Sequence, residues 1–122
     1  MKSSILKEIA KKYGSPIYIY DAEKIENQYL KLKKAFSEVK ELKIYYAAKA
    51  LTNISILKFI SRLGSGLDTV SIQEVEIGLL AGFNPEDIIY TPNGVSIKEL
   101  ESVAKLGVQI NIDNLETLEQ FG

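Results

Sequence analysis

The sequence contains no cysteine and no histidine, and these two absences exclude several kinds of site within its 122 residues. Without cysteine the chain has no disulfide framework, no thiol nucleophile and no thiolate metal site. Without histidine it has neither a histidine-based catalytic triad nor a histidine zinc site. It also lacks any apolar run near the roughly 20 residues that a membrane-spanning helix needs.

Charge of one sign is missing as well, because 15 basic and 16 acidic residues give a net charge of −1. The basic residues, of which Arg62 is the single arginine, are spread along the chain. This distribution predicts neither a nucleic acid nor an anionic membrane as partner. The first 14 residues carry charges among their apolar positions, unlike a signal peptide, so the default prediction is a cytoplasmic protein.

The first part of the sequence predicts a short helix, a short strand and a long helix. "SILKEIAKKYG" has apolar residues at helical spacing and ends at Gly14. "PIYIYD", residues 16–21, is rich in β-formers and is predicted to be a strand that begins at its proline. Asp21 is then the predicted N-cap of a polar helix over residues 22–40.

From residue 44 onward, strand-like and helix-like segments alternate. The strand-like segments begin near Ile44, Leu67, Ile88 and Gln109, at intervals of 23, 21 and 21 residues. Strands that alternate with helices on so short a period indicate βαβ units and a parallel sheet.

Two of the intervening helices are predicted to begin with a capping box, in which two side chains satisfy free backbone N–H groups. The pairs are Ser71 with Glu74 and Ser96 with Glu99.

Four βα units fit either an open doubly wound sheet or part of an eight-stranded barrel. No glycine-rich dinucleotide loop follows the first strand, and "GSG" at residues 64–66 precedes a strand instead of following one. A closed barrel needs about 250 residues. We therefore predict an α/β chain that forms the N-terminal part, about half, of a TIM-type (β/α)8 barrel. Residues 1–21 would lead into the barrel and residues 22–122 would form it.

Lys49 stands at the end of the apolar segment "IYYAAKA". Strand alternation would put Tyr45, Ala47 and Lys49 on one face, which in a barrel is the inner face at its catalytic end. A desolvated lysine there could form a Schiff base. The pattern alone favours the simpler interpretation, a strand-end lysine that reaches solvent.

Other polar residues near predicted strand ends allow two interpretations. Asp68 within "LDTV" could meet a lysine or a ligand, or could bond loop amides. Gln109, Asn111 and Asp113 share one face of "QINID", which suits either a ligand cavity or a solvent-facing strand. "TPNGVS", residues 91–96, is explained as a turn and is also a possible pocket loop.

Three segments in order resemble the N-terminal part of the ornithine, diaminopimelate and arginine decarboxylase family of pyridoxal phosphate enzymes, which have alanine-racemase-like barrels. The resemblance runs from about Tyr13 to the C-terminus. The segments are "PIYIYD" (16–21), "YYAAKA" (45–50) and "GSGLDTVSIQEVEIGLLAGFNPEDIIYTPNG" (64–94).

The resemblance implies the cofactor pyridoxal 5'-phosphate and a role for two residues. Lys49 corresponds to the lysine that forms the Schiff base with the cofactor, and it would be the catalytic residue. Asp68 corresponds to the aspartate that lies close to the cofactor and its lysine. Ser71 and Glu74 continue the same motif, although capping explains them.

The sequence also departs from the family pattern. Leu51 stands where the family often has asparagine, and Ile72 and Gln73 stand where it commonly has two glycines. Asn93 and Gly94 fall in a turn that lies near the family's site, but the turn lacks the basic residue often found there.

The resemblance implies an amino-acid decarboxylase that converts meso-diaminopimelate to L-lysine and carbon dioxide, and that is a homodimer in its full-length form. The alternatives are a decarboxylase of ornithine, arginine or carboxynorspermidine, a non-catalytic barrel with a binding or regulatory role, and a βα domain without cofactor. Family members hold the cofactor phosphate, the pyridine nitrogen and the substrate with residues of later strands and of the second subunit. We therefore expect these 122 residues alone to be inactive.

Overall fold

The computed structural model describes all 122 residues and divides them into two compact units, Met1–Ala35 and Phe36–Gly122. The first unit contains helices α1 (Ser3–Tyr13) and α2 (Ala22–Ala35), neither of which has a buried residue. None of the helices in the chain is long and apolar enough to cross a bilayer.

Asp21 caps α2 as predicted, since its Oδ1 accepts the Lys24 N–H at 3.2 Å. Its Oδ2 pairs with the amino group of Met1 at 3.4 Å. The backbone hydrogen bond from Lys24, with the positive N-terminus, lowers the pKa of the Asp21 carboxyl. The predicted helix over residues 22–40 is too long, because α2 ends at Ala35 and Val39 N–H turns back to bond the Phe36 carbonyl at 3.0 Å.

The prediction of a strand at "PIYIYD" is wrong. Residues 17–21 have no regular secondary structure, and the sheet contains four other strands. A β-rich composition forms a strand only where a neighbouring strand supplies backbone partners. The expectation that this segment does not pair beside "IYYAAKA" is confirmed.

The second unit contains the predicted parallel sheet. Its strands lie in the order β1-β2-β3-β4, and every neighbouring pair is parallel. They begin within one residue of the predicted starts: β1 Tyr45–Ala47, β2 Gly66–Thr69, β3 Ile88–Tyr90 and β4 Gln109–Ile110. The sequential order is typical of a (β/α) barrel, and the fold is part of one.

A helix follows each strand, and a polar side chain caps each of these helices. Asn53, Ser71, Ser96 and Asn114 accept backbone N–H groups of the first turns. The helices are α3 (Ile54–Arg62), α4 (Ile72–Leu80), α5 (Ile97–Ala104) and α6 (Leu115–Phe121), with single 3₁₀ turns at Ala48–Ala50 and Pro85–Asp87.

The two capping boxes form only in part. Glu74 N–H donates to Ser71 Oγ at 3.3 Å, and Glu74 Oε2 accepts the Val70 N–H at 2.8 Å instead of that of Ser71. Glu99 N–H donates to Ser96 Oγ, but its Oε1 accepts the Tyr90 hydroxyl at 2.6 Å. The buried phenol needs a partner, so it takes the carboxylate that the sequence pattern assigned to the cap.

The core lies between the sheet and its helices. Leu67 points toward α4, because a Cβ added at Gly78 would lie 2.5 Å from Leu67 Cδ2. Each large apolar side chain buried here contributes about 1.5–3 kcal/mol. The largest side chains with at most 1% exposure come from both layers: Leu67, Thr69, Ile88 and Tyr90 from the strands, and Leu57, Val75, Leu100 and Val103 from the helices.

The opposite face of the sheet carries small and polar residues beside the larger Tyr45 and Ile89. Tyr45 pairs with Gly66 and Ala47 pairs with Asp68 in register, so these residues alternate with the helix-facing ones. Gly66 is required because the Tyr45 ring lies over it: an added Cβ would overlap the ring and lie 2.9 Å from the Asp87 carbonyl oxygen. Glycine in a strand often marks such a close approach.

Replacing Gly66 with alanine should destabilise the sheet. The new methyl group meets backbone as well as a side chain, and overpacking of this kind costs about 1–3 kcal/mol. Urea unfolding of Gly66→Ala measures the loss. Gly94→Ala is the control, since nothing lies within 4 Å of a Cβ there and only its φ of 65° is unfavourable. Equal midpoints for Gly66→Ala and the parent chain would contradict the close contact.

Tyr90 should make stability fall at high pH. Burial and the hydrogen bond to Glu99 raise the pKa of its phenol. The unfolded chain therefore releases this proton first, and the stability present below about pH 10 is lost as the pH rises further. Between about pH 9 and pH 11 the parent should lose more free energy of unfolding than Tyr90→Phe. A Tyr90→Phe variant with the same alkaline loss as the parent would show that Tyr90 does not cause it.

Candidate active site

The carboxyl ends of the four strands meet at one edge of the sheet because all four strands are parallel. β1 ends at Ala47, which pairs with Asp68 of β2, and Lys49 follows two residues later. The prediction is that Lys49 and Asp68 lie at the same sheet end and face the same side; the shared end is confirmed, and the shared side stays a prediction because Lys49 lies beyond the strand. In a (β/α) barrel this is the end that carries the active site.

The local structure at Lys49 differs from the prediction. The strand stops at Ala47, and Ala48–Ala50 form a 3₁₀ turn in which Leu51 N–H bonds the Ala48 carbonyl at 3.0 Å. The Tyr46 hydroxyl donates to the Leu51 carbonyl at 3.3 Å on the far side of the turn. Strand alternation therefore stops before Lys49. The backbone does not place the Lys49 side chain on the same face as Tyr45 and Ala47, although the sequence predicts it there.

The turn buries Ala48 completely and leaves Lys49 exposed. The Lys49 ammonium has no ion-pair or hydrogen-bond partner within the chain; the two ion pairs are Met1–Asp21 and Lys43–Asp87. An amine at the carboxyl end of the sheet, fixed by its backbone and without a partner, is available to react with a carbonyl compound.

Asp68 is partly buried and bonds to a hydroxyl group, not to a lysine. Thr91 Oγ1 donates to Asp68 Oδ1 at 3.0 Å. Thr91 Oγ1 in turn accepts from Asn111 Nδ2 at 3.1 Å. The three side chains form a continuous chain of hydrogen bonds across β2, β3 and β4 at their carboxyl ends.

Sequence reasoning missed Thr91 as a partner of Asp68 and treated it as the start of a turn that is also a possible pocket loop. Thr91 follows β3 directly, and its N–H bonds the Thr69 carbonyl at 2.8 Å, which continues the sheet ladder past the assigned strand. It therefore lies on the same face as Ile89, the register partner of Asp68. Counting alternation one residue beyond the strand end would have found this pair.

The "TPNGVS" turn and the segment after β4 line a small cavity of about 50 Å³. Gly94 has a φ of 65° in this turn, a conformation that favours glycine. Gln109, Asn111 and Asp113 are all exposed, and the Asp113 carboxylate accepts from Asn114 Nδ2 at 2.9 Å. Of this predicted polar set, Asn111 alone bonds to Thr91.

Residues 22–122 match the family model described as the pyridoxal-binding domain of pyridoxal-dependent decarboxylases. The chain is 40% identical over 112 residues to the diaminopimelate decarboxylase of Methanothermobacter thermautotrophicus, a match that covers 91% of this chain and 26% of that protein. The diaminopimelate decarboxylase of Helicobacter pylori strain J99 is 40% identical over 116 residues, with 92% of this chain and 28% of that protein covered.

Solved structures agree with these matches. The chain resembles Helicobacter pylori diaminopimelate decarboxylase complexed with L-lysine, with a TM-score of 0.83 and 36% identity, covering 95% of this chain and 30% of that one. Vibrio vulnificus lysine/ornithine decarboxylase complexed with putrescine has a TM-score of 0.86 at 24% identity, covering 97% and 32%, and shows the fold alone. The chain spans about a quarter of the length of the curated relatives it matches.

The free amine of Lys49 should react faster with acylating reagents than a paired lysine. Lys43 is the internal control, because its ammonium pairs with Asp87 at 2.6 Å. We expect brief treatment with acetic anhydride, followed by peptide mass spectrometry, to acetylate Lys49 several-fold faster than Lys43. Slower acetylation of Lys49 than of Lys43 would show that the Lys49 amine is shielded.

Proposed function

The chain belongs to the family of pyridoxal-dependent decarboxylases and carries their pyridoxal-binding domain over residues 22–122, and from this premise we propose that it forms the lysine-bearing part of an enzyme that converts meso-diaminopimelate to L-lysine and carbon dioxide. The observation that carries the proposal is the unpaired Lys49 at the carboxyl end of the sheet. The substrate is taken from the diaminopimelate decarboxylases that the chain matches at up to 40% identity.

The residues at the carboxyl ends of the strands fit pyridoxal phosphate. The Lys49 amine would hold it covalently, and the Asp68 carboxylate would lie beside it. The small side chain of Ala47 on the same face, next to Asp68, leaves room at the carboxyl end of the sheet. When bound, pyridoxal phosphate supplies the electron sink that accepts the electrons left behind as carbon dioxide departs.

The protein's own contribution is to orient the reacting groups. The 3₁₀ turn holds the Lys49 backbone at the strand end, so its long side chain pivots from a fixed point. Asp68 supplies a negative charge at the same end, and the hydrogen bond from Thr91 restricts its rotation. Fixed groups of this kind lower the entropy cost of bringing substrate and catalyst together.

The related substrates ornithine, arginine and carboxynorspermidine have weaker support, because the lysine/ornithine decarboxylase from Vibrio vulnificus resembles this chain in fold alone. A non-catalytic barrel relative has no need of a reactive lysine at this place. Two further parts of the proposal derive from the family resemblance: the enzyme acts as a homodimer, and it is located in the cytoplasm. Residues 1–21 would lead into the barrel that begins at residue 22.

Borohydride trapping should attach pyridoxal phosphate to Lys49. The protein is expressed from its complete reading frame, incubated with pyridoxal phosphate, reduced and mapped by peptide mass spectrometry. We expect the label on Lys49 in the parent and in the control Lys43→Arg, and its loss in Lys49→Arg. Release of carbon dioxide from meso-diaminopimelate should disappear in Lys49→Arg alone. A parent that carries the stable label on a different lysine would contradict the site.

The substrate is tested separately with the same preparation. Meso-diaminopimelate, ornithine, arginine and carboxynorspermidine are supplied in turn, and carbon dioxide release is measured. We expect the highest kcat/KM with meso-diaminopimelate. Label on Lys49 together with a higher kcat/KM for another of these amino acids would support the proposed cofactor site and contradict meso-diaminopimelate as the substrate.

A further inference from the structure

The Asp68 carboxylate is held by side chains from the two strands beyond β2. Thr91 donates to it from the end of β3, and Asn111 donates to Thr91 from the end of β4. Deep burial does not explain these hydrogen bonds, because Thr91 and Asn111 are exposed and Asp68 is only partly buried. The hydrogen bonds instead restrict the orientation of the Asp68 carboxylate.

The direction of these hydrogen bonds is determined by the chemistry of the groups. An ionised carboxylate only accepts, so the single hydroxyl proton of Thr91 must go to Asp68 Oδ1. The Thr91 oxygen then has only lone pairs to offer, so Asn111 must present its amide nitrogen to it. Each bond polarises the next in the same sense, which strengthens the chain.

The backbone fixes the positions from which the two side chains act. Thr91 N–H bonds the Thr69 carbonyl and Asn111 N–H bonds the Tyr90 carbonyl, both at 2.8 Å. These bonds continue the parallel ladder past the ends of β3 and β4, so Thr91 and Asn111 cannot shift along the sheet independently of Asp68.

One oxygen of Asp68 remains without a partner. Thr91 occupies Oδ1, and no group of the chain donates to Oδ2. A carboxylate held by one oxygen cannot rotate freely about its last torsion, so the other oxygen has a defined place at the carboxyl end of the sheet, where Lys49 also lies.

We propose that Thr91 and Asn111 are positioning residues that orient Asp68. In this orientation Asp68 Oδ2 remains free to accept a hydrogen bond from the positively charged Lys49 nitrogen when Lys49 holds the cofactor. This inference rests on the proposed function, because it assigns the oriented carboxylate to the cofactor that Lys49 holds. It adds two residues, which directly follow β3 and β4 and act through Asp68.

The test compares Thr91→Val with Thr91→Ser in the protein expressed from its complete reading frame and loaded with pyridoxal phosphate. Valine keeps the branched shape of threonine and removes the hydroxyl, whereas serine keeps the hydroxyl. We expect Thr91→Val to lower kcat with meso-diaminopimelate by about 10- to 100-fold, the range for losing a hydrogen bond to a charged group, with KM nearly unchanged. Thr91→Ser should restore kcat to within about twofold of the parent.

Asn111→Asp tests the direction of the chain. A carboxylate at this position accepts the Thr91 proton in competition with Asp68, so kcat should fall and the visible absorption maximum of the bound cofactor should shift. Thr117→Val is the control, since no hydrogen bond links the Thr117 hydroxyl to these residues. It should keep the parent's kcat and absorption maximum.

Two results would overturn the inference. One is a Thr91→Val enzyme with the parent's kcat and absorption maximum, and the other is a Thr91→Ser enzyme as impaired as Thr91→Val. Borohydride labelling of the same parent preparation separates these failures from that of the proposed function. Label on Lys49 together with an unimpaired Thr91→Val enzyme would contradict the positioning role alone. A label on a different residue would contradict both the positioning role and the proposed function.

Discussion

The parallel pairing of four short strands is the constraint on which the rest of the structure depends. Each strand is only two to four residues long, yet the register places Ala47 beside Asp68 and Asp68 beside Ile89. Because side chains alternate along a strand, a slip of one residue would exchange the two faces of the sheet. Such a slip would turn Asp68 into the apolar layer and Leu67 out of it.

The two faces of the sheet have different tasks. Leu67, Ile88 and Tyr90 are fully buried against the helices, and this burial supplies the stability that holds the register. The other face carries polar groups at its carboxyl end, beyond the contact between Tyr45 and Gly66. Asp68 and Thr91 lie there, at the edge of the sheet where the parallel strands end.

Much of the fold follows from local patterns, because strand starts, helix caps and the βα alternation each depend on residues close in sequence. The parts that could not be predicted depend on distant partners. "PIYIYD" lacks a neighbouring strand, and Glu99 turns from its cap to the hydroxyl of buried Tyr90. At the candidate site, the family resemblance predicted Lys49 and Asp68, whereas the bond from Thr91 to Asp68 appears only once β2 and β3 are aligned.

The central claim is that the register of the sheet brings Lys49 and the oriented Asp68 to one cofactor. A crystal structure of the protein, expressed from its complete reading frame and grown with pyridoxal phosphate, tests it most directly. We expect continuous electron density from Lys49 Nζ to the cofactor, with Asp68 Oδ1 still accepting from Thr91. Cofactor density attached to another lysine, or lying away from the carboxyl ends of β1 and β2, would contradict it.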